Sequence, residues 1–305
     1  MTKYIIKRIA YGLLTLFLVS TITFWLMNLI PGGPFLAEKA KSEATMKALE
    51  EKYGLDQPKT VQYKNYLVNL VHGDLGLSTK QRGRTVNDII GQAFPTSAKI
   101  GGIAILVAVL LGLSLGSVAA LNRGKWLDDL IIVVSTTGVA VPSFIVATLF
   151  MYFFSVKLNL LPTFWQGDAK SFVIPVIALA FYPTAYITRL TRSSVLDVLG
   201  QDYMTTARAK GLSQFKRLFK HALRNAVLPV VTYLGPAIAG TLCGSLVVEK
   251  ILNIPGLGGM FVSCITNRDY PLVMGTTVFL AALIIVMNVL VDIAYKIIDP
   301  RIKLN

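Results

Sequence analysis

Six stretches of this chain carry no Asp, Glu, Lys or Arg, and their length constrains the fold more than any other feature. They span residues 9–30, 100–122, 130–156, 171–188, 225–248 and 271–291. A helix needs about 20 apolar residues to cross the hydrocarbon core of a bilayer. The stretch 171–188 is short, but it can extend past Arg189 because an Arg near the end of a span reaches the interface. The sequence therefore predicts an all-α polytopic membrane protein with six transmembrane helices.

The basic residues determine the orientation of these spans. The net charge of +14 could indicate a nucleic-acid partner, but its distribution suits a membrane protein better. With the N-terminus inside, the segments 1–8, 122–129, 189–224 and 292–305 hold 3, 2, 8 and 3 basic residues. The short outer loops hold two each, and the long outer segment carries little weight in the positive-inside rule. Both termini are therefore predicted to be cytoplasmic, and no nucleic-acid partner is expected. The charged fraction of 15% is well below that of soluble domains and also indicates a membrane protein.

The order of spans and loops predicts four parts. Residues 1–30 form the cytoplasmic N-terminus and first span, and residues 31–96 form an extracytoplasmic segment. Residues 97–296 form a core of five spans that includes a cytoplasmic loop at 192–224, and residues 297–305 form a cytoplasmic tail.

Helical patterns also occur in the outer segment. Residues 36–53 have helical periodicity and stop at Gly54, a residue suited to a helix C-cap. Residues 61–71 and 85–93 are predicted as two further short helices. The outer segment is thus expected to form a small helical cap.

Two glycine motifs allow different interpretations. Gly112 to Gly116 matches G-x-S-x-G around Ser114, which would make an intramembrane hydrolase an alternative. That motif requires a strand–turn–helix context, however, and here it lies inside a span. The same glycines form GxxxG, a close-packing face for membrane helices, and Gly240 and Gly244 repeat that spacing. Helix packing is the favoured interpretation of both pairs.

Charged groups and nucleotide motifs narrow the class of transporter. The acids that we expect at the ends of spans are Asp128, Asp129 and Asp292, and no acid is expected deep in a span. Neither His72 nor His221 lies within a predicted span. Proton-coupled transporters usually need ionisable groups deep in the bilayer, which disfavours a secondary transporter without removing it. The chain has no G-x-x-x-x-G-K-[ST] loop. If ATP drives this protein, a partner must supply the ATPase.

Neutral polar and helix-breaking residues in the middle of spans suggest a path for varied substrates. Ordinary kinked packing is the alternative for each of them. The candidates for such a path are Pro142, Ser143, Tyr182, Thr232, Tyr233, Gly235 and Thr241.

The cytoplasmic stretch from Asp202 to Pro229 reads as two helices. Asp202 can cap a helix that runs to Lys210, and Gly211 is the expected left-handed C-cap. Ser213 can cap a second, amphipathic helix whose apolar face is formed by Leu212, Phe215, Phe219 and Ala222, with Leu218 beside them. The second helix could lie on anionic lipid, whereas the small residues of the first helix suit insertion into a groove of a partner protein.

This stretch resembles the EAA loop of ABC-importer permeases. Thr205, Thr206 and Ala207 take the places of the E-A-A residues, Gly211 is the motif's glycine, and Leu228-Pro229 closes it. There are two departures from the general pattern: the Glu and the first Ala are both Thr, and the distance from Gly211 to Pro229 is longer. Both are typical of the peptide/nickel branch. Further matches to that branch lie at 7–35, 56–58, 73–76, 94–97, 248–250, 254–258, 267–271 and 299–302. The chain is similar over essentially its whole length to B-type permeases of oligopeptide importers. The sequence Pro31-Gly-Gly-Pro-Phe35 favours this type over the dipeptide and nickel relatives.

The resemblance implies a type I ABC-importer permease in a bacterial plasma membrane, with no enzymatic activity and no cofactor of its own. The implied partners are a C-type permease, two ATPase subunits that bind ATP and Mg, an extracytoplasmic peptide-binding protein and membrane lipid. The peptide substrate would be an oligopeptide, and the alternatives are dipeptides, nickel chelates and opines.

The resemblance also implies roles for two segments. Asp202–Gly211 would hold the coupling helix, with Arg208 and Lys210 in polar contact with the ATPase. Pro255, Gly256 and Gly258 would form an outer gate, for which a tight turn at the membrane surface is the alternative.

Overall fold

The computed structural model describes residues 2–31, 33 and 43–298, and within that part the fold is helical with no named strand. The predicted all-α architecture is confirmed. The matches at 34–35 and 299–302, the first part of the helix predicted at 36–53, and most of the tail at 297–305 lie outside the described residues. The α-helices are α1 Thr2–Leu29, α2 Glu43–Lys52, α3 Lys59–Val71, α4 Val86–Leu121, α5 Trp126–Ala140, α6 Ser143–Phe150, α7 Val173–Leu199, α8 Asp202–Ala209, α9 Gln214–Lys216, α10 Leu223–Ala226, α11 Leu228–Leu242, α12 Leu246–Ile251, α13 Leu257–Thr266 and α14 Tyr270–Ile298.

The predicted spans are present as five long apolar helices and one bent pair. The five are Ile6–Leu29, Val86–Leu121, Ala169–Leu199, Leu228–Ile251 and Tyr270–Ile293. The stretch predicted as the third span consists of two arms, α5 and Ser143–Lys157, with a bend of 104° between them. The second arm is α6 continued by the π-helical residues Met151–Lys157. Pro142 causes the break, because it lacks an N–H and forces Val141 into an extended conformation. Counting the bent pair as one span gives the six that the sequence predicts.

The glycines of α4 bring it close to α7. A Cβ on Gly112 would lie 2.6 Å from Ile187, and one on Gly116 would lie 2.5 Å from the carbonyl oxygen of Thr188. This confirms the packing interpretation of the first GxxxG pair. Ser114 is exposed in the middle of α4 and has no strand–turn–helix context, so the nucleophile-elbow interpretation is wrong.

The second GxxxG pair does not pack as expected. A Cβ on Gly240 would meet no atom within 4 Å. Gly244 lies beyond the end of α11 with φ +78°, a conformation that favours glycine and interrupts the helix. Only Gly244 is closely packed, because a Cβ there would overlap the carboxylate of Glu249 on α12 and lie 3.0 Å from the Ser97 oxygen on α4. The two glycines therefore do not form one shared packing face, and Gly244 marks the break between α11 and α12.

The outer segment contains the predicted helices with changed limits. The helix before Gly54 ends as predicted, with Gly54 at φ +65° and the N–H of Leu55 bonded to the carbonyl of Glu50 at 2.8 Å. The helix predicted at 61–71 is α3. The helix predicted at 85–93 is not separate, because it is the first part of α4, which begins after the N-cap Thr85 and continues past Pro95. The expected boundary between residues 96 and 97 thus falls inside a helix.

Two buried carboxylates hold loops to the spans. Outside, Asp269 is 1% exposed and accepts hydrogen bonds from the Ser78 hydroxyl and from the N–H of Thr79 at 3.0 Å. Inside, Asp128 is 2% exposed and pairs with Arg192 on α7 through two bonds of 2.6 and 2.7 Å. The bonds to Asp269 attach the loop at Ser78 and Thr79 to the start of α14, and the bonds to Asp128 attach the start of α5 to α7.

Candidate functional site

The cytoplasmic helix α8 is short and sharply ended. It begins at Asp202, and the residue before it, Gln201, makes no side-chain capping bond. The predicted cap at Asp202 is therefore wrong: its carboxylate belongs to the first turn, where a negative charge favours the helix dipole. Gly211 has φ +74°, as predicted, and the N–H of Leu212 bonds to the carbonyl of Ala207 at 3.3 Å.

One face of α8 is buried and the other is free. Met204 and Ala207 are 2% and 8% exposed. Met204 packs in what we call the inner apolar cluster, together with residues from α4, α7 and the segment after α8. The members of this cluster are Ala120, Val195, Met204, Leu218, Ala222 and Ala226. The side chains predicted to meet a partner, Thr205, Thr206, Arg208 and Lys210, are all exposed, as is Asp202.

The segment that follows α8 turns a different face inward from the one predicted. Leu218 and Ala222 are buried, whereas Phe215 and Phe219 are 69% and 54% exposed, with ring centroids 4.3 Å apart. Residues Arg217–Ala222 form a π-helical turn, which is wider than an α-turn and shifts the register on which the predicted face relied. The cap predicted at Ser213 is present, as its hydroxyl accepts from the N–H of Lys216 at 3.4 Å.

A cavity of about 460 Å³ lies at the bend of the third span. It brings together four of the seven predicted path residues: Pro142, Ser143, Tyr182 and Thr241. Its described lining contains no charged side chain. The bend produces the cavity, because α5 and α6 diverge there beside α7 and α11. Such a lining can contact a substrate through hydroxyls and aromatic faces without selecting for charge.

The other three predicted path residues lie apart from this cavity. Tyr233 stacks on Tyr186 with 4.3 Å between the ring centroids, and the Tyr186 ring lies 6.3 Å from that of Tyr182. Tyr233 is therefore linked to the cavity residue Tyr182 through the ring of Tyr186. Thr232 is exposed and bonds to the carbonyl of Leu228. Gly235 is buried against Val291 on α14. Tyr186 was missed in the sequence, although its position four residues after Tyr182 places both on one helix face.

The turn predicted as an outer gate, from Pro255 to Gly258, is built around a buried carboxylate. Glu249 is 2% exposed and accepts bonds from the Ser97 hydroxyl at 2.7 Å and from the N–H of Gly259 at 2.9 Å. Ser97 also accepts from the N–H of Leu257 at 2.8 Å. We call Glu249, Ser97, Leu257 and Gly259 the outer carboxylate cluster. It joins α12 and α13 to α4, so three segments meet at one side chain.

The predicted gate residues surround this cluster. A Cβ on Gly256 would lie 2.6 Å from the Ser97 oxygen, and one on Gly258 would lie 3.0 Å from the N–H nitrogen of Leu246. Both positions therefore exclude any larger residue unless the turn shifts. Pro255 is exposed beside them.

Glu249 is a further acid in a span that was not predicted from the sequence. The prediction named only Asp128, Asp129 and Asp292, but Glu249 directly follows the uncharged stretch 225–248 and lies within the span Leu228–Ile251. The signal available in the sequence was a single acid at the end of an apolar stretch, next to a Pro-Gly turn.

Family comparisons cover the entire chain. Residues 112–304 match the family described as binding-protein-dependent transport system inner membrane component, and residues 1–114 match the N-terminal family of the same transport systems. The dipeptide transport system permease protein DppB of Bacillus subtilis is 48% identical, covering 100% of this chain and 99% of the relative. The oligopeptide transport system permease protein OppB of Salmonella typhimurium is 43% identical, covering 99% and 100%. Relatives of both names thus match over full length.

Solved structures match in fold. The inward-facing MetNI methionine ABC transporter has a TM-score of 0.52 at 14% identity, covering 70% of this chain and 97% of that one. An amino acid ABC transporter crystallised with histidines has a TM-score of 0.51 at 16% identity, covering 71% and 95%. At these identities the likeness concerns the fold alone, and it is the fold that the spans predict.

Proposed function

This chain belongs to the family of binding-protein-dependent transport system inner membrane components, and we propose that it is the membrane-spanning subunit of an ATP-driven oligopeptide importer. The observation that carries the proposal is the full-length similarity to peptide permeases at 43–48% identity. The uncharged cavity at the third-span bend supports it, because a path that serves many peptide sequences gains from hydroxyls and aromatic faces that do not select for charge.

The preference for oligopeptides over dipeptides rests on a narrower basis. Relatives named for both substrates match the chain, so overall identity does not separate them. The proposal rests on the Pro31-Gly-Gly-Pro-Phe35 sequence, which resembles oligopeptide permeases. Dipeptides, nickel chelates and opines are the substrates that a test must separate from oligopeptides.

The partners follow from the same family membership. We propose that the chain pairs with a homologous C-type permease and with two ATPase subunits that bind ATP and Mg. A peptide-binding protein would deliver the substrate on the outer side. In this assembly the chain performs no chemical step: its spans form half of the path and its cytoplasmic helix receives the movement of the ATPase.

The proposed contact with the ATPase is α8. Its outward face carries Thr205, Thr206 and Arg208, and Lys210 is exposed directly after its last residue. Its inward face is anchored by Met204 and Ala207. A helix that is short, exposed on one side and packed on the other can transmit a push without bending. Because Thr205 stands where the family motif has Glu, we assign the polar contacts to Arg208 and Lys210.

Uptake by a strain that lacks the chromosomal gene tests the substrate. The wild-type gene is expected to restore ATP-dependent uptake of a labelled tetrapeptide, and to restore dipeptide uptake less. Uptake that persists without ATP and stops when the proton gradient collapses would reject the ATP-driven proposal. Dipeptide uptake above tetrapeptide uptake would reject only the oligopeptide assignment.

Charge reversal on α8 tests the coupling. Arg208→Glu is expected to lower peptide-stimulated ATP hydrolysis by the purified complex, because the exposed guanidinium would no longer match the ATPase surface. Lys7→Glu, also exposed at the cytoplasmic side but on α1, is the matched control and should leave hydrolysis unchanged. Equal activity of both variants would reject the docking role of α8.

A further inference from the structure

A second cavity, of about 320 Å³, opens on the outer side beside the Pro-Gly turn. Arg84 and Lys250 line it, together with Pro255 and Gly256 of the predicted gate. Arg84 comes from the loop that precedes α4, and Lys250 from α12, so the two cations approach from different elements. This cavity is distinct from the uncharged one at the third-span bend, and nothing in the predicted path includes it.

The guanidinium of Arg84 is oriented by neutral groups. One terminal nitrogen donates to the side-chain oxygen of Gln81 at 2.7 Å, and the other donates to that of Gln92 at 2.5 Å. Among the described residues Arg84 forms no ion pair with a carboxylate. A guanidinium has five N–H donors, so donors remain after these two bonds. The side chain is held in place while its charge stays uncompensated.

Lys250 is held in the same way. Its ammonium donates to the hydroxyl of Ser263 at 3.3 Å, and it too has no carboxylate partner in the described part of the chain. Glu249 also lines the cavity, but both of its oxygens are bonded to Ser97 and Gly259 and its side chain is buried. Two cations against one buried, hydrogen-bonded carboxylate leave the cavity with a net positive charge.

We propose that this outer cavity binds the terminal carboxylate of the incoming peptide, with Arg84 and Lys250 as its ligands. The inference rests on the proposed peptide import. Every unmodified peptide carries one α-carboxylate whatever its side chains, so a site for this group suits a carrier of many sequences. Arg binds carboxylates through paired, charge-assisted N–H bonds, and its Gln-fixed orientation reduces the entropy lost on binding. The position beside the gate turn would bind the peptide before it reaches the path.

The test compares a free tetrapeptide with its C-terminal amide in proteoliposomes that contain the complete importer and its binding protein. Tetra-alanine and tetra-alanine amide are supplied separately, and initial uptake rates give an acid-to-amide ratio. The binding protein is the same throughout, so a change of this ratio between permease variants reports on the permease alone. The wild-type ratio is expected to exceed one.

The double variant Arg84→Gln/Lys250→Gln is expected to lower tetra-alanine uptake roughly tenfold, the loss of about one charge-assisted hydrogen bond, and to leave the amide unchanged. Arg82→Gln changes an exposed arginine of the same loop that does not line the cavity, and should keep the wild-type ratio. Arg84→Lys with native Lys250 retains both charges and should keep a ratio above one, which separates loss of charge from damage to the fold.

Three results would overturn the carboxylate site. They are a wild-type ratio of one, an unchanged ratio in the double variant, and an equal loss for both peptides. Equal loss together with a higher binding-protein concentration for half-maximal uptake would assign the cations to docking of an acidic surface on the binding protein. Failure of the wild-type complex to import either peptide would instead reject the peptide importer itself.

Discussion

The two ends of the membrane domain are held by different kinds of interaction. At the cytoplasmic end, α8 is held in the inner apolar cluster by Met204, and Ala207 on the same helix is also buried. At the outer end, the Pro-Gly turn is held by hydrogen bonds to the single carboxylate of Glu249. Apolar contacts are non-directional and tolerate small displacements, whereas hydrogen bonds weaken steeply when their geometry changes.

This difference indicates how each end behaves when the spans move. A helix held by apolar contacts can shift slightly and remain attached, as the proposed contact with an ATPase subunit would require. A turn held by two directional bonds and close glycine contacts has one favoured position, and leaving it breaks those bonds together. We therefore expect gradual responses to substitution inside and abrupt responses outside.

Glu249→Ala should have the largest effect. It removes the acceptor for the Ser97 hydroxyl and for the N–H of Gly259, and each buried donor without a partner costs roughly 1–3 kcal/mol. We expect a lower thermal midpoint of the purified complex and little peptide uptake. Glu249→Gln keeps one acceptor oxygen, so its thermal midpoint and peptide uptake should lie between those of the wild type and Glu249→Ala. A Glu249→Ala variant with wild-type stability and uptake would contradict the directional attachment of the turn.

Met204→Ala tests the apolar attachment at the inner end. Truncating a buried methionine costs about 2–5 kcal/mol, and the side chain here is 2% exposed. In the proposed assembly the loosened α8 should still contact the ATPase, so ATP hydrolysis should persist while the number of peptides imported per ATP falls. Met204→Leu conserves volume and should retain that ratio, measured as uptake against phosphate release. Complete loss of hydrolysis in Met204→Ala would indicate that the cluster is as intolerant as the outer turn.

Gly211→Ala examines the end of α8. Gly211 has φ +74° and no atom lies within 4 Å of an added Cβ, so the cost is conformational alone, about 1–2 kcal/mol. A drop of a few degrees in the thermal midpoint is expected. Gly91 is a control because an added Cβ there also meets no atom within 4 Å, while it lies in α4 at a position with no positive φ. Gly91→Ala should stabilise the helix slightly, and destabilisation equal to that of Gly211→Ala would remove the role of the left-handed turn.

Thr205→Glu should have the smallest effect and restores the residue typical of the family motif. Thr205 is exposed, and a Glu there would stand three residues before Arg208 on one helix face. Such a pair contributes about 0.2–0.5 kcal/mol. Stability and peptide-stimulated ATP hydrolysis should remain within error of wild type. A marked rise in hydrolysis would mean that the coupling contact lacks the motif's Glu, and that Arg208 and Lys210 do not replace it.

Features set by local chemistry were predictable from the sequence. The spans follow from uncharged length, and the left-handed Gly211 and Gly54 follow from the freedom of glycine after a helix. The close-packing role of Gly112 was predicted from its spacing, but its partner Ile187 was not, and Gly240 with the same spacing has no close neighbour. For the spans and the two left-handed glycines the residues themselves carry the signal.

Features set by contacts across the sequence could not be predicted in this way. The burial of Glu249 depends on Ser97, which is 152 residues away and gives no sign of its role. The outward position of Phe215 and Phe219 depends on a π-turn that the apolar spacing does not reveal. The cavity that joins Pro142 to Thr241 depends on the angle of a bend, and Pro142 predicts the bend but not its size.

Helix α4 connects the two ends that differ so much. Ser97 of the outer carboxylate cluster and Ala120 of the inner apolar cluster are both on it, and 23 residues of helix measure about 35 Å. The glycine contacts with α7 add thickness to this rod near its inner end. A rod of that length works as a lever arm: a tilt of about five degrees displaces one end by roughly 3 Å relative to the other. If the rod pivots at the inner apolar cluster, the packing there is retained and the displacement falls at the outer end, where about 3 Å is enough to break the hydrogen bonds of Glu249. A slight tilt inside would then become an all-or-none event outside.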